Sequence, residues 1–568
     1  MFNPEDLFKI VSVENFDVRF GRVAVVCYEN RPVARILSGF GENWLDSSVK
    51  IELGELFAES VKWSPSGCLL IEADRGGAER RSIYIYDNGS LTPIISDGYD
   101  NVEYTPSLNG KQAAFLSNRE GETMHLYVHE AQSIRRVSLG NLPVEGFAWS
   151  PDSRFIVYSQ GIYDNDLWVY DSHSGHTSKL FGLPASEQHV FEDGWGEQGL
   201  LVASNHADTY QVGVIPYDKV RAVCEGEKEI TDANSLRWLT NAKWDVVEAA
   251  WYNEDLVYVE NCDGDHTLKI GEHKVLSSGV ISTLKVSDNT LYFTRSTHDR
   301  DNDLYMVDNK FGVHRLTDSM SQVKAQFVEP KHIEYTSRDL KIHALLYDAG
   351  GKRGAVYIHG GPDYQSMNTF NPTIQLLVQR GFTVIAPNYR GSTGYGRRFN
   401  HLNDGDLGGG DLIDVVNAKK VLGNKRVTVL GASYGGYLTM MCITKFPDEW
   451  CSAAAIVPFV NWFTEKQHER EVLKQYDETK MGSDEGLLKD RSPIFSVNRI
   501  RVPLLLLAGE NDPRCPAEET LQVVEKLKEL NIKAEYKVYG GEGHGFSKKE
   551  NWVDSIKRTV DFLDANCV

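Results

Sequence analysis

The sequence predicts two domains of different class: a seven-bladed β-propeller, then an α/β domain built on a mostly parallel sheet. Three observations predict this. The chain has 568 residues, more than one hydrophobic core organises. Up to about Asp318, short alternating strands recur between Gly, Asn and Asp turns at a period of roughly 40 residues. Beyond that point, short continuous apolar runs alternate with helical patterns, which is the grammar of a parallel sheet flanked by helices.

The repeat is clearest in two places. Val61-Lys62-Trp63-Ser64-Pro65-Ser66-Gly67 precedes strands at 68–73 and 82–86, and Ala148-Trp149-Ser150-Pro151-Asp152-Ser153 precedes strands at 155–159 and 166–170. Weaker copies begin near Phe20, Glu103, Phe191, Ala250 and Leu284, making seven. A single four-stranded blade cannot bury both of its faces, so the copies must stack around an axis. Two β-sandwiches would not repeat one motif at a fixed period. Within the motif Pro, Ser, Asp and Gly supply the turn, and Trp63 and Trp149 are expected between neighbouring sheets. The propeller is thus assigned to 16–318 and the α/β domain to 319–568. Residues 1–15 form an N-terminal extension in which 4–10 read as a short helix with an acidic first turn.

In the second half, runs at 355–358, 383–386, 427–430 and 504–507 are rich in β-branched residues or Leu, as strands buried on both faces should be. Helical patterns at 410–421, 436–445 and 517–530 lie between them. The composition, 41% hydrophobic and 25% charged, is that of a soluble globular protein. A net charge of −20 argues against nucleic acid or an anionic membrane as partner, since both would be repelled. No apolar stretch is long enough to cross a bilayer, and 1–18 does not read as a signal peptide. The eight cysteines are scattered without a CxxC pair, so neither structural zinc nor a disulfide framework is expected, and the expected compartment is a reducing cytoplasm.

Four motifs carry chemistry. Val427-Thr428-Val429-Leu430-Gly431-Ala432-Ser433-Tyr434-Gly435-Gly436 is an apolar strand, a G-x-S-x-G turn and a helix start. Such a turn strains the serine backbone and lifts its hydroxyl out of the sheet edge, and it requires small residues two before and two after. Ser433 is therefore the candidate nucleophile. Val356-Tyr357-Ile358-His359-Gly360-Gly361-Pro362 runs from a strand into a Gly-Gly turn. Its Gly361, with Tyr434, is the candidate source of backbone N–H groups for an oxyanion hole. His359 is expected to shape this loop rather than act as a base. The strand at 503–508 leads to Gly509-Glu510-Asn511-Asp512, where Asp512, with Glu510 as the alternative, is the acid that would orient a histidine. A last strand leads to Gly540-Gly541-Glu542-Gly543-His544-Gly545-Phe546, where His544 is the candidate base. Ser, Asp and His occur in the order expected of an α/β-hydrolase domain.

These motifs, with Asn388-Tyr389-Arg390-Gly391-Ser392-Thr393-Gly394-Tyr395-Gly396, Asp512-Pro513-Arg514 and Gly543-His544-Gly545-Phe546, resemble the prolyl oligopeptidase family of serine peptidases, and within it the acylaminoacyl peptidase branch. The resemblance covers the C-terminal half in order; the N-terminal half matches in architecture. It implies hydrolysis of short, N-acylated peptides beneath a propeller that excludes folded proteins. It also implies an N-terminal helix packed on the hydrolase domain and a homo-oligomer, as relatives often assemble. By the same resemblance Arg514 would bind a substrate carbonyl one residue upstream of the cut, the alternative being a surface ion pair. Phe459 and Trp462 would wall the pocket for the residue before the cut. The propeller half holds no convincing Glu-Glu pair of the kind dipeptidyl peptidases use for a free amine. No metal and no organic cofactor are expected. A carboxylesterase shares every one of these chemical residues, and a propeller scaffold with an inactive hydrolase domain is the reading of a different class.

Overall fold

The computed structural model describes residues 2–468 and 471–567. The N-terminal half forms seven four-stranded antiparallel sheets, at 12–50, 57–95, 101–136, 144–181, 188–238, 246–276 and 280–315. In each, the four strands are consecutive in sequence. The ring therefore closes without a shared strand: Val13, Phe16 and Val18 of the first sheet pack with Leu304 of the seventh and with Leu316 just beyond it. The first strand, Ser12–Arg19, begins four residues ahead of the boundary suggested by the alternation.

The motif tryptophans bridge neighbouring blades. The Arg22 guanidinium of blade 1 lies 3.9 Å over the Trp63 ring of blade 2. Trp149 Nε1 of blade 4 donates to Thr105 O of blade 3 at 3.0 Å. An apolar ring with one polar tip is suited to such a seam.

Along the axis two cavities, of about 570 and 530 Å³, share Phe147, Glu192, Asp193 and Lys285 as common walls. Glu192 of blade 5 pairs with Lys62 of blade 2, and Lys285 of blade 7 lies 3.7 Å from Glu192 and 3.3 Å from Asp17. The axis is thus bridged by ion pairs that link blades 1, 2, 5 and 7.

The second half is an eight-stranded sheet. Its strands are β1 (Lys331–Ser337), β2 (Leu340–Tyr347), β3 (Arg353–Ile358), β4 (Phe382–Asn388), β5 (Arg426–Ala432), β6 (Ala453–Ile456), β7 (Leu504–Gly509) and β8 (Glu535–Tyr539). They lie in the order β1-β2-β4-β3-β5-β6-β7-β8. From β4 onward every pairing is parallel, while β1 and β2 are antiparallel. The central strands are buried on both faces, which is why they read as unbroken apolar runs. One apolar cluster joins Val356, Val429 and Leu506 to the helices Gly410–Val421, Tyr434–Lys445 and Ala517–Glu529. The other joins Leu430, Leu505 and Leu507 to Pro372–Gln379 and Lys549–Asn566, and it also holds Phe2, Leu7 and Ile10. The opening helix, a 3₁₀ segment at Pro4–Lys9, therefore lies on the hydrolase domain.

The expectation of cysteines without a disulfide is corrected at one pair. Cys451, just before β6, is bonded to Cys567 after the last helix. The two are 116 residues apart in sequence, so no local spacing could reveal them, and the support that scattered cysteines gave to a reducing compartment falls away. Replacing Cys451 with Ser should lower the free energy of unfolding by about 2–4 kcal/mol, the usual effect of losing a long-loop crosslink. Urea unfolding with and without reductant checks this.

Propeller and sheet meet at loops joining second and third strands of the blades. His332 of β1 donates to Asp265 at 2.8 Å and lies 3.5 Å from Asp263, both in blade 6. These carboxylates push the His332 imidazole up to about 10. A group raised above its unfolded value near 6.5 stabilises the fold fully below that pH. Its contribution is lost as pH rises from about 6.5 through 10. The unfolding midpoint should therefore fall across this window, and the fall should be shallower in His332→Gln; thermal unfolding at stepped pH measures both.

Candidate active site

Three loops from the same edge of the sheet converge: those after β5, β7 and β8. Ser433 stands between β5 and the helix Tyr434–Lys445 with φ 57° and ψ −125°, a left-handed backbone that a residue with a β-carbon adopts only under constraint. The constraint is steric. A β-carbon on Gly435 would lie 2.2 Å from Ile358 O, and one on Gly431 would lie 2.6 Å from Gly435 O. Small residues two before and two after the serine are required here because backbone touches backbone. Ala432 occupies the uncrowded position between them.

Asp512 follows β7. Its side chain is fully buried, and Oδ1 accepts the backbone N–H groups of Arg514 at 2.9 Å and Cys515 at 3.0 Å. His544 Nδ1 donates to Asp512 Oδ2 at 2.8 Å. That bond fixes the tautomer, leaving Nε2 as the nitrogen free to accept a proton. The alternative acid, Glu510, instead accepts Gly541 N at 2.8 Å and braces the loop base. Buried Glu542 organises the rest of that loop. Its carboxylate takes the N–H groups of Ser547 and Lys548 and the Asn551 amide.

The Gly360-Gly361 turn passes beside the serine; a β-carbon on Gly360 would lie 3.4 Å from Ser433 Cβ. Gly361 has φ 117°, open to glycine alone. Tyr434 begins the helix, its hydroxyl donating to buried Asp411 at 2.5 Å, and burial pushes the Asp411 carboxyl up to about 6. His359 is 4% exposed, stacked on Tyr389 at 4.2 Å and hydrogen-bonded to Ser392 Oγ at 2.9 Å. Burial lowers its imidazole to about 4, so it is neutral and holds the loop.

Of the two aromatic residues expected on the pocket wall, Trp462 is 1% exposed and packs behind Phe459 with centroids 4.8 Å apart. Phe459 stacks on Tyr437 at 4.4 Å and lies 6.4 Å from the Tyr434 ring. Phe459 is thus the nearer to the serine turn, and Trp462 is core behind it.

Two neighbours of the site carried no sequence signal. Arg514 Nε donates to Glu79 Oε1 of blade 2 at 2.8 Å, across 435 positions. The hairpin that carries Glu79 sits on the histidine loop: a β-carbon on Gly77 would lie 2.9 Å from Gly543 N. Cys515 lies against the Ser433 hydroxyl, and burial pushes its thiol well up. Both contacts join segments that are remote in sequence or lie around a motif whose role concerned other residues.

A strained serine, a histidine oriented by a buried acid and a Gly-Gly turn meet at one sheet edge, the arrangement that nucleophilic hydrolysis requires. Residues 368–567 match the Prolyl oligopeptidase family. The chain is 31% identical to Dipeptidyl peptidase family member 6 of Caenorhabditis elegans over 224 residues, covering 37% of this chain and 30% of that protein. It is 27% identical to Acylamino-acid-releasing enzyme 1 of Oryza sativa subsp. japonica over 269 residues, covering 44% and 34%. The matched stretches span about a third of these curated relatives. A puromycin-hydrolyzing peptidase of Mycobacterium tuberculosis superposes with a TM-score of 0.85 at 17% identity, covering 100% of this chain and 96% of that one; the likeness is one of fold across both domains. The family match thus falls within the α/β-hydrolase domain, at the strands and loops that carry Ser433, Asp512 and His544.

The crowding makes a specific claim about the turn. Gly435→Ala should destabilise the protein by about 1–3 kcal/mol or more, as overpacking does. Gly545→Ala, where a β-carbon meets nothing within 4 Å, should change stability by less than about 0.5 kcal/mol. Chemical denaturation of the two variants tests the contrast.

Proposed function

We propose that this protein is a serine peptidase that cleaves short peptides and prefers those with an acylated amino terminus. The observation that carries the reading is the 2.8 Å bond from His544 to buried Asp512, on the same sheet edge as the strained Ser433 turn. Ser433 Oγ attacks the amide carbonyl while His544 Nε2 takes its proton, and Asp512 stabilises the imidazolium that forms. The N–H groups of Tyr434 and Gly361 receive the oxyanion, and His544 then protonates the leaving amine. Water repeats the sequence on the acyl-enzyme. A propeller docked over this edge would shut out folded proteins and admit short chains.

Arg514 is the donor for an upstream substrate carbonyl, a task suited to a guanidinium that is always charged. The ion pair with Glu79 supports the preference for a blocked terminus, because the carboxylate beside Arg514 is already engaged. That same carboxylate favours a second reading, in which Glu79 turns to a free substrate amine.

Hydrolysis of acetyl-Phe-p-nitroanilide, Phe-p-nitroanilide and a p-nitrophenyl ester separates these readings. The acetylated amide should be cleaved with the highest kcat/KM, and Ser433→Ala should lose at least about 10³-fold. Preference for the free amine, abolished by Glu79→Gln, would establish the second reading. Ester cleavage without amide cleavage would make the protein a carboxylesterase, and failure of a fluorophosphonate to label Ser433 would leave a scaffold with an inactive domain.

A further inference from the structure

We propose that Asp363 is a positioning residue for the oxyanion loop, tying the Gly361 N–H to the docked propeller. The inference rests on the acyl-transfer reading above and goes beyond it, because Asp363 touches neither Ser433 nor His544 and belongs to none of the motifs that define the site.

The loop behaves as one unit. A β-carbon on Gly361 would lie 2.7 Å from Asp363 N and 3.0 Å from Tyr364 N, so the chain folds back on itself directly after the glycine. Tyr364 N donates to Pro362 O at 2.8 Å, and Thr393 N donates to Tyr364 O at 3.0 Å. With so short and so closely packed a turn, whatever holds Asp363 also holds Gly361.

Four donors from three other elements hold the Asp363 carboxylate. Oδ1 accepts Asn400 Nδ2 at 2.7 Å and lies 3.3 Å from Lys480 Nζ. Oδ2 accepts the Tyr476 hydroxyl at 2.8 Å and also the Tyr163 hydroxyl. Asn400 ends the helix Arg397–Asn400, and Tyr476 and Lys480 lie on the helix Glu471–Lys480. Tyr163 belongs to the propeller, in the loop between the second and third strands of blade 4. A carboxylate with both oxygens engaged is fixed in position and orientation together.

Lys480 explains why a carboxylate is used. Its side chain is fully buried, and it is also held by Asp404 at 2.7 Å, Asn403 Oδ1 at 3.2 Å and Asn400 O at 3.1 Å. A buried ammonium demands compensating charge, so Asp363 is drawn to one place by an ion that cannot move to solvent. The surrounding segment is itself bound to the propeller: Arg397 pairs with Asp164 at 2.8 Å and Arg398 with Asp208 at 3.0 Å. The route from propeller to oxyanion donor is therefore Tyr163, Asp363, Gly361. A displacement of about 1 Å at a group that must meet the transition state lowers rate by up to about 10²-fold, and outright loss of one oxyanion donor lowers it by about 10²–10³-fold.

The test uses the full chain with acetyl-Phe-p-nitroanilide as substrate, acetyl-phenylalaninal as an inhibitor that forms an oxyanion on Ser433, and acetyl-Phe as a product ligand. Fluorophosphonate labelling of Ser433 in wild type comes first; its absence would overturn the acyl-transfer reading and this inference with it. Asp363→Ala should lower kcat about 10- to 100-fold with KM within about threefold, and should weaken the aldehyde in parallel while acetyl-Phe binding stays the same. Tyr163→Phe should show a smaller loss of the same kind, and Asp363→Asn should recover part of it. Asp404→Asn, which disturbs Lys480 without touching the loop, should lower Tm and leave kcat and aldehyde affinity within about twofold. A kcat within twofold of wild type in Asp363→Ala would overturn the proposal, as would equal weakening of aldehyde and product. If Asp363→Ala does not fold, Tyr163→Phe decides alone by the ratio of aldehyde to product affinity.

Discussion

Where β5 ends, the chain turns into a helix so closely that main chain meets main chain, with the Ile358 carbonyl of β3 pressed against Gly435. Ser433 is driven into its left-handed conformation by that contact, at a cost of about 1–3 kcal/mol that the packed sheet sustains. The remaining site geometry is organised around it. The hydroxyl stands clear of the edge, the Tyr434 N–H starts the helix beneath it, and the Gly360-Gly361 turn is brought alongside because β3 and β5 are hydrogen-bonded neighbours. Had the sheet order placed β3 elsewhere, the same motif residues would line an ordinary turn.

The second dependence is between domains. Three propeller elements meet the sheet by different means, two of them at the site edge. The blade 2 hairpin rests on the histidine loop at Gly77 and engages Arg514 through Glu79. The blade 4 loop reaches the Gly361 turn through Tyr163 and Asp363. Blade 6 pairs Asp263 and Asp265 with His332. The contacts are spread around the rim rather than gathered at one point, so the propeller touches the loops that carry Asp512, His544 and Gly361.

The repeat and the buried strands were legible because each depends on local patterning. Trp63 and Trp149 recur with their turn residues, and blades follow from a motif that cannot bury itself alone. Ser433, Asp512 and His544 were legible because each follows an apolar strand and the strands of a parallel sheet deliver their C-terminal ends to one edge. Phe459 and Trp462 were equivalent as letters, and only packing shows that one lies behind the other. Glu79, Asp363 and the Cys451–Cys567 bond had no signal, since their partners lie in other domains, other loops or 116 residues away.

By itself the sequence determined the two folds, the order of the chemical residues and the crowding that demands glycine around Ser433, because alternation, turn chemistry and steric fit act over a few neighbouring residues. The tertiary structure alone decided which propeller residues enter the site, that Arg514 meets Glu79 and that Asp363 collects four donors. Those outcomes depend on contacts between segments remote in sequence, some of them across the domain interface, and such contacts are chosen by shape and charge in space, which linear spacing does not encode.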